Sequence, residues 1–188
     1  MTESHDGVDV VTILTDDHRE MLELVGRAQT TLDAGERRDL TDAAIAEVMR
    51  HSVAEEMFVY PEMEKHLPGG TEAVDHDKEE HGSIVQVMKQ LESADASSAE
   101  FTTLLGKFED LLRHHANDEE SEQFPALRTH LEQDTLVEVG DKVQAAKKLA
   151  PTRPHPSAPH SELFHKTIGP GVGMVDRLRD ALTGRHTG

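Results

Sequence analysis

Residues 51–61 read HSVAEEMFVYP, and residues 115–125 read HANDEESEQFP. Both stretches place a histidine, a Glu-Glu pair four positions on and a terminal proline at the same offsets, while every letter between them differs. A repeat that keeps only a histidine, a carboxylate pair and a proline retains chemistry rather than packing. On an α-helix, positions i and i+4 share a face, so His51 with Glu55 and His115 with Glu119 can each grip one common centre.

Working outward, apolar residues recur at helical spacing on both sides of each block. The first helix is predicted over about 9–33, with Val11, Leu14, His18, Met21, Val25, Ala28 and Leu32 along one seam. The second, about 39–67, starts after AGERR breaks the pattern and ends at PGG. A third, about 71–93, aligns Val74, His81, Ile84, Met88 and Leu91; ASS then turns and caps the chain into a fourth, about 97–133. A weaker fifth helix is expected over about 135–149. Nothing shows sustained period-two alternation, so the fold class is all-α: an antiparallel up-down four-helix bundle with a short fifth helix and a C-terminal tail. Residues 1–150 are assigned to the bundle, 151–170 to a proline-rich linker and 171–188 to a tail with a short amphipathic helix.

Composition removes other function classes. The chain has 188 residues and no cysteine, which excludes thiol catalysis, iron-sulfur ligation and zinc-thiolate sites. Its 19 Lys and Arg against 37 Asp and Glu give a net charge of -18, a surface that repels phosphate backbones, so no nucleic-acid partner is expected. The acidic N-terminus lacks an apolar leader, and no run nears the roughly 18 apolar residues of a membrane span, which predicts a soluble, cytoplasmic protein with no membrane partner.

Thirteen histidines are many for this length, and four of them interrupt apolar seams: His18, His51, His81 and His115. With Glu55 and Glu119 they put six polar groups toward the bundle interior in the order H, HxxxE, H, HxxxE. Unpaired, each would cost ~1–3 kcal/mol. Imidazole and carboxylate without thiolate suit iron, manganese or zinc, and two carboxylates able to bridge suit two ions in one site. The repeat predicts one ion held by His18 and His51 and another by His81 and His115, with Glu55 and Glu119 bridging. Each ion is then short of six ligands, leaving positions for dioxygen, peroxide, nitric oxide or a bridging oxide. Tyr60, the only tyrosine, offers a phenolate as an additional candidate ligand; its counterpart in the second block is Phe124.

Other polar residues receive blander readings. His76 is expected to be exposed, and only His115, not His114, keeps the distance to proline seen at His51. His66 and His130 lie about 16 Å beyond the glutamates along the helix, at 1.5 Å per residue, and are read as packing residues at the bundle end. Asp17, Glu56, Glu80 and Glu120 adjoin the candidate ligands, as hydrogen-bond partners or as members of a solvated face.

With these residues, His18, His51-x3-Glu55, His81 and His115-x3-Glu119, and with EExxxYP and EExxxFP following, the chain resembles the hemerythrin-like proteins, also called HHE cation-binding domain proteins. The resemblance spans about residues 9–133. It implies a four-helix bundle around a non-heme centre of two iron ions, oxo- or hydroxo-bridged and spanned by two carboxylates, that binds or reacts with dioxygen or related small molecules. The oxygen-carrying members use a fifth histidine in an HxxxH on the third helix, where this chain has Asp77, and an aspartate where it has Glu119. The four-His, two-Glu set is similar to that of bacterial iron-centre repair proteins and of actinobacterial members linked to peroxide and nitric-oxide responses. The repair proteins carry an N-terminal cysteine motif, which is absent here. Three roles follow as expectations: a protein that binds, senses or reacts with dioxygen, peroxide or nitric oxide; a catalase-like enzyme; or a regulatory or iron-handling module whose tail meets a protein partner.

Overall fold

The computed structural model describes residues 7–150, so the expected linker and tail lie outside the described residues. Helix α1 spans Val10–Thr30. It is capped by Asp9, whose carboxylate accepts from the Thr12 N–H at 2.9 Å. Helix α2 spans Ala34–Ala54, passes through a π-helical turn at Glu55–Val59 and continues as α3, Tyr60–His66. After a tight turn in which Gly69 takes a positive φ of 71°, α4 runs Gly70–Ser93. Helix α5 spans Ala99–Asp118, passes through a second π turn at Glu119–Gln123 and continues as α6, Phe124–His130. Helix α7, Gln133–Lys147, is the short fifth member, and no strand occurs among the described residues.

Helix α1 packs on α2 and α5, and α4 packs on α5 and α3, which closes an antiparallel four-helix bundle; α7 lies against α1 and α2. A Cβ on Gly140 would stand 2.5 Å from the Val8 carbonyl oxygen, so that glycine lets α7 approach the start of α1.

Two local expectations are corrected. AGERR does not break a helix: Asp33 accepts from the Glu36 N–H at 2.8 Å and starts α2 at Ala34. Arg37 and Arg38 then reach from this first turn to the end of α4, Arg37 to the Ala96 carbonyl at 3.1 Å and Arg38 to that of Leu91 at 2.8 Å. Arg38 thereby supplies a donor to a carbonyl that the end of α4 leaves unpaired, and Arg37 supplies one to the connection that follows. Leu32 is not on the seam; α1 ends at Thr30, and Leu32 is 96% exposed in the connection that follows. By contrast Ser98, the last residue of ASS, caps α5 through the Phe101 N–H at 3.0 Å as expected.

The apolar core is divided. One part gathers Met21, Val25, Ile45, Met49, Met88, Leu91, Phe101 and Phe108. The other gathers Leu14, Val59, Met63, Val74, Leu127 and, from α7, Leu136 and Val143. Between them in sequence, on each of the four main helices, fall His18, His51, His81 and His115, all buried. A polar layer therefore crosses the bundle where apolar contact would otherwise be continuous.

Candidate metal centre

Each π turn begins at a glutamate of the repeat and ends before the aromatic-proline pair. The Tyr60 N–H bonds to the Glu55 carbonyl and the Phe124 N–H to that of Glu119, in the i to i+5 pattern. Pro61 and Pro125 follow at once and have no N–H to offer to a preceding turn, which favours the wider register at this point. The turn places each glutamate in the polar layer and its aromatic over a histidine of the opposite hairpin. Phe124 stacks on His18 with centroids 5.7 Å apart, and Tyr60 on His81 at 5.8 Å.

The structure brings the six predicted side chains together. Nε2 of His18 stands 3.2 Å from Nε2 of His51, and Nε2 of His81 stands 3.2 Å from that of His115. Oε2 of Glu55 lies 3.1 Å from His51 Nε2 and 3.4 Å from His81 Nε2. Oε2 of Glu119 lies 3.1 Å from His18 Nε2 and 3.7 Å from His115 Nε2. Each glutamate thus spans one histidine of each pair, and all six residues are at most 2% exposed.

The outward nitrogens are equally organised. Each Nδ1 meets a carboxylate: His18 with Glu120 at 2.8 Å, His51 with Asp17 at 3.4 Å, His81 with Glu56 at 3.3 Å and His115 with Glu80 at 2.9 Å. A carboxylate only accepts, so Nδ1 carries the proton and Nε2 faces the interior, the arrangement that fixes histidines as metal ligands. The carboxylate preceding the first histidine of a hairpin serves that hairpin's second histidine. The one following each bridging-position glutamate crosses to the other hairpin. The sequence left these four residues between two readings, and the structure gives all four to the histidines. Lys147 of α7 pairs with the other oxygen of Asp17.

The donor set fits a metal. Four Nε2 atoms converge on two carboxylates, and both oxygens of Glu55 and Oε2 of Glu119 are buried without a hydrogen bond of good geometry, each Oε2 facing imidazole Nε2 atoms instead. Two donors each about 2.1 Å from a shared ion stand roughly 3.0–3.4 Å apart, the spacing of both Nε2 pairs. Without metal the layer is balanced by protons. Burial would lower His51 and His81, but Glu55 and Asp17 raise His51 to about 10, and Glu55 with Glu56 raise His81 to about 10. Burial likewise opposes the charged form of His115, and Glu119 with Glu80 outweighs it and raises that histidine. Glu55, pushed up by burial, is drawn well below the ordinary carboxylate range by His51 and His81.

The Tyr60 hydroxyl lies 3.4 Å and 3.5 Å from the two nitrogens of His81, and burial, then Glu55 and Glu119, raises its pKa well above the usual phenol range. His76 is exposed as expected, and His114, which lacks the proline spacing of His115, is exposed as well. His66 and His130 are not packing residues: both end their helices facing solvent, His66 beside Glu62, and the buried residue at the second of these ends is Leu131. Sequence reasoning missed Gln123, whose amide donates to Asp77 Oδ1 at 2.8 Å in the interior of the second hairpin. Its signal was weak, a polar letter at the position that is Val59 in the first block.

A helical bundle crossed by a buried layer of four carboxylate-backed imidazoles and two glutamates is a metal-binding module. The chain belongs to the hemerythrin family: the pattern of the Hemerythrin HHE cation binding domain matches residues 9–127. An uncharacterized hemerythrin-like protein of Schizosaccharomyces pombe is 29% identical over 167 residues, which is 88% of this chain and 82% of that protein. The crystal structure of a hemerythrin HHE cation binding domain-containing protein from Mycobacterium kansasii matches with a TM-score of 0.67 at 20% identity, covering 91% of this chain and 99% of that one. At that identity the likeness speaks for the fold. No described helix is long and apolar enough to cross a membrane.

Proposed function

We propose that this is a di-iron protein of the cytoplasm that binds, senses or reacts with dioxygen, peroxide or nitric oxide in the response to oxidative or nitrosative stress. His18 and His51 would hold one ion and His81 and His115 the other, with the carboxylates of Glu55 and Glu119 available to both. The observation that carries this reading is the inward convergence of four Nε2 atoms on two buried carboxylates, with every Nδ1 tied back. Imidazole and carboxylate donors suit iron, and iron supplies redox chemistry toward small oxidants when bound. The chain's part is to hold the imidazoles in one tautomer, to keep bulk water from the layer by the apolar blocks on either side, and to present the Tyr60 hydroxyl beside His81. Metal stoichiometry and the ultraviolet-visible spectrum of the purified protein, followed on adding dioxygen, peroxide or nitric oxide, test it. Two irons per chain and a spectrum that changes with at least one of the three are expected; a spectrally inert protein refutes the reading.

A second reading, a regulatory module that reports metal status without turnover, draws on one contact. Lys147, in the last turn of α7, pairs with the same Asp17 carboxylate that backs His51. In this reading residues 171–188 form a tail that meets a protein partner. Metal removal would then break the Lys147–Asp17 contact and change binding of that partner, while steady oxygen evolution from peroxide is absent. Evolution that disappears in Glu55→Ala and Glu119→Ala would instead make the protein a catalase-like enzyme.

A further inference from the structure

Outside the buried layer, two i, i+4 pairs on neighbouring helices face each other: His76 with Glu80 on α4, and His114 with Asp118 on α5. His76 Nε2 lies 3.7 Å from Glu80 Oε1 and 3.8 Å from Asp118 Oδ2; His114 Nε2 lies 3.4 Å and 3.6 Å from the same two oxygens. Two nitrogens and two oxygens therefore point into one small volume. Four donors about 2.0–2.2 Å from a tetrahedral ion stand roughly 3.3–3.6 Å apart, close to the four N···O separations here, and all four donor atoms lie within 4.8 Å of one another. Among the described residues neither carboxylate meets a lysine or arginine. A net charge of -18 further favours cations at this surface. Both histidine side chains are more than half exposed, so an ion can arrive without opening the bundle.

We propose that His76, Glu80, His114 and Asp118 form a separate surface site for one divalent transition-metal ion of the zinc class. It sits directly outside the buried layer, because Glu80 serves both: Oε1 faces His76 and His114, while Oε2 accepts from His115 Nδ1 at 2.9 Å. Neutral imidazole with carboxylate in a four-donor set selects zinc or cobalt over calcium or magnesium, which take oxygen alone.

The test is zinc titration by calorimetry on the full chain whose buried centre has first been loaded with iron, comparing the parent with a His76→Ala, His114→Ala double variant. The parent is expected to bind one zinc equivalent that the variant lacks or binds more than ~100-fold more weakly, since losing even a ligand's supporting partner costs 10–100-fold. Iron content and the iron spectrum stay equal in the two proteins. Asp118→Asn is expected to weaken the same equivalent while leaving both histidines in place. Cobalt added to the parent is expected to give the visible bands of a four-coordinate ion, absent from the variant. Superimposable zinc isotherms for parent and double variant, or an equivalent lost only together with the iron, would overturn the proposal. Because iron content and spectrum are read separately, failure of the buried-centre assignment leaves a different trace.

Discussion

The two hairpins present the same donors to the centre, but what stands behind those donors differs. Four residues before His18 the first hairpin has Leu14, and four after Glu55 it has Val59; both are buried in an apolar block. At the matching positions the second hairpin has Asp77 and Gln123, joined by a 2.8 Å hydrogen bond, with Asp77 Oδ2 and Gln123 Oε1 buried and unpartnered. The aromatic pair adds to the imbalance, because the hydroxyl of Tyr60 crosses to His81, while Phe124 gives His18 only its ring face. The repeat therefore fixes how the donors converge and leaves the polarity behind them free to vary. Beyond the ligands and the carboxylates that back them, buried unpartnered polar atoms collect on the His81–His115 side, where the first hairpin has apolar side chains at the matching positions.

The largest expected effect erases the resemblance between the halves. Glu55→Ala or Glu119→Ala should abolish binding of both ions, whereas His51→Ala or His115→Ala should reduce bound metal to about one per chain, each with more than ~100-fold weaker affinity at the lost position. Metal analysis after gel filtration reads this. Full occupancy in either glutamate variant would remove the bridging assignment.

Next comes pH, which should act oppositely on the two forms. His51 and His81 are raised to about 10 from an ordinary 6.5, so their protonated pairing stabilises the metal-free bundle fully below pH 6.5 and is lost as pH rises through about 10. The depressed Glu55 belongs to the same ion pairs and adds no second contribution; its share is present above 4.5 and lost only as pH falls through its lowered value. Metal ligation needs Nε2 free of its proton, so the loaded protein should release metal and lose stability as pH falls from 7.5 to 5. Melting curves of both forms across pH 5–9.5 should slope in opposite directions. Parallel slopes would contradict the histidine-ligand geometry.

A smaller effect is expected from making the halves alike. Asp77→Leu with Gln123→Val replaces the polar pair by the residues of the first hairpin and should stabilise the metal-free protein by ~1–3 kcal/mol. Asp77 is raised to about 7 by burial and then by Glu119, so the native state loses stability as pH climbs from 3.8 through 7. The gain should accordingly be larger at pH 8 than at pH 5 in chemical denaturation. Tyr60→Phe, the smallest change, should shift stability by less than ~1 kcal/mol and keep both metals; loss of an ion would show that the phenol is a ligand.

Much of this was legible in the residues. His18, His51, His81 and His115 betray themselves because each replaces an apolar residue on a seam, and helical periodicity exposes such exceptions. The bundle followed from the same periodicity. The roles of Asp17, Glu56, Glu80 and Glu120 were not legible, because the partner of each lies on another helix and, for Glu56 and Glu120, on the other hairpin. The π turns escaped for a related reason: apolar spacing tracks which face a residue takes, whereas a π turn is a change of hydrogen-bond partner, visible beforehand only as the recurring aromatic-proline pair. Arg37 and Arg38 looked like a break because their role, closing the end of α4, is tertiary.

The polar layer that divides the core also sets how the chain can come apart. Two apolar blocks separated by a sheet of charge share little contact energy, so without an ion each can open with its own free energy, as separate cooperative units do in hydrogen exchange. A pair of ions whose ligands together come from all four main helices would bind only when both blocks are in place, and its binding energy would be added to neither alone. Metal would then determine the cooperativity of the molecule as well as its stability: two loosely linked units when empty, one when filled.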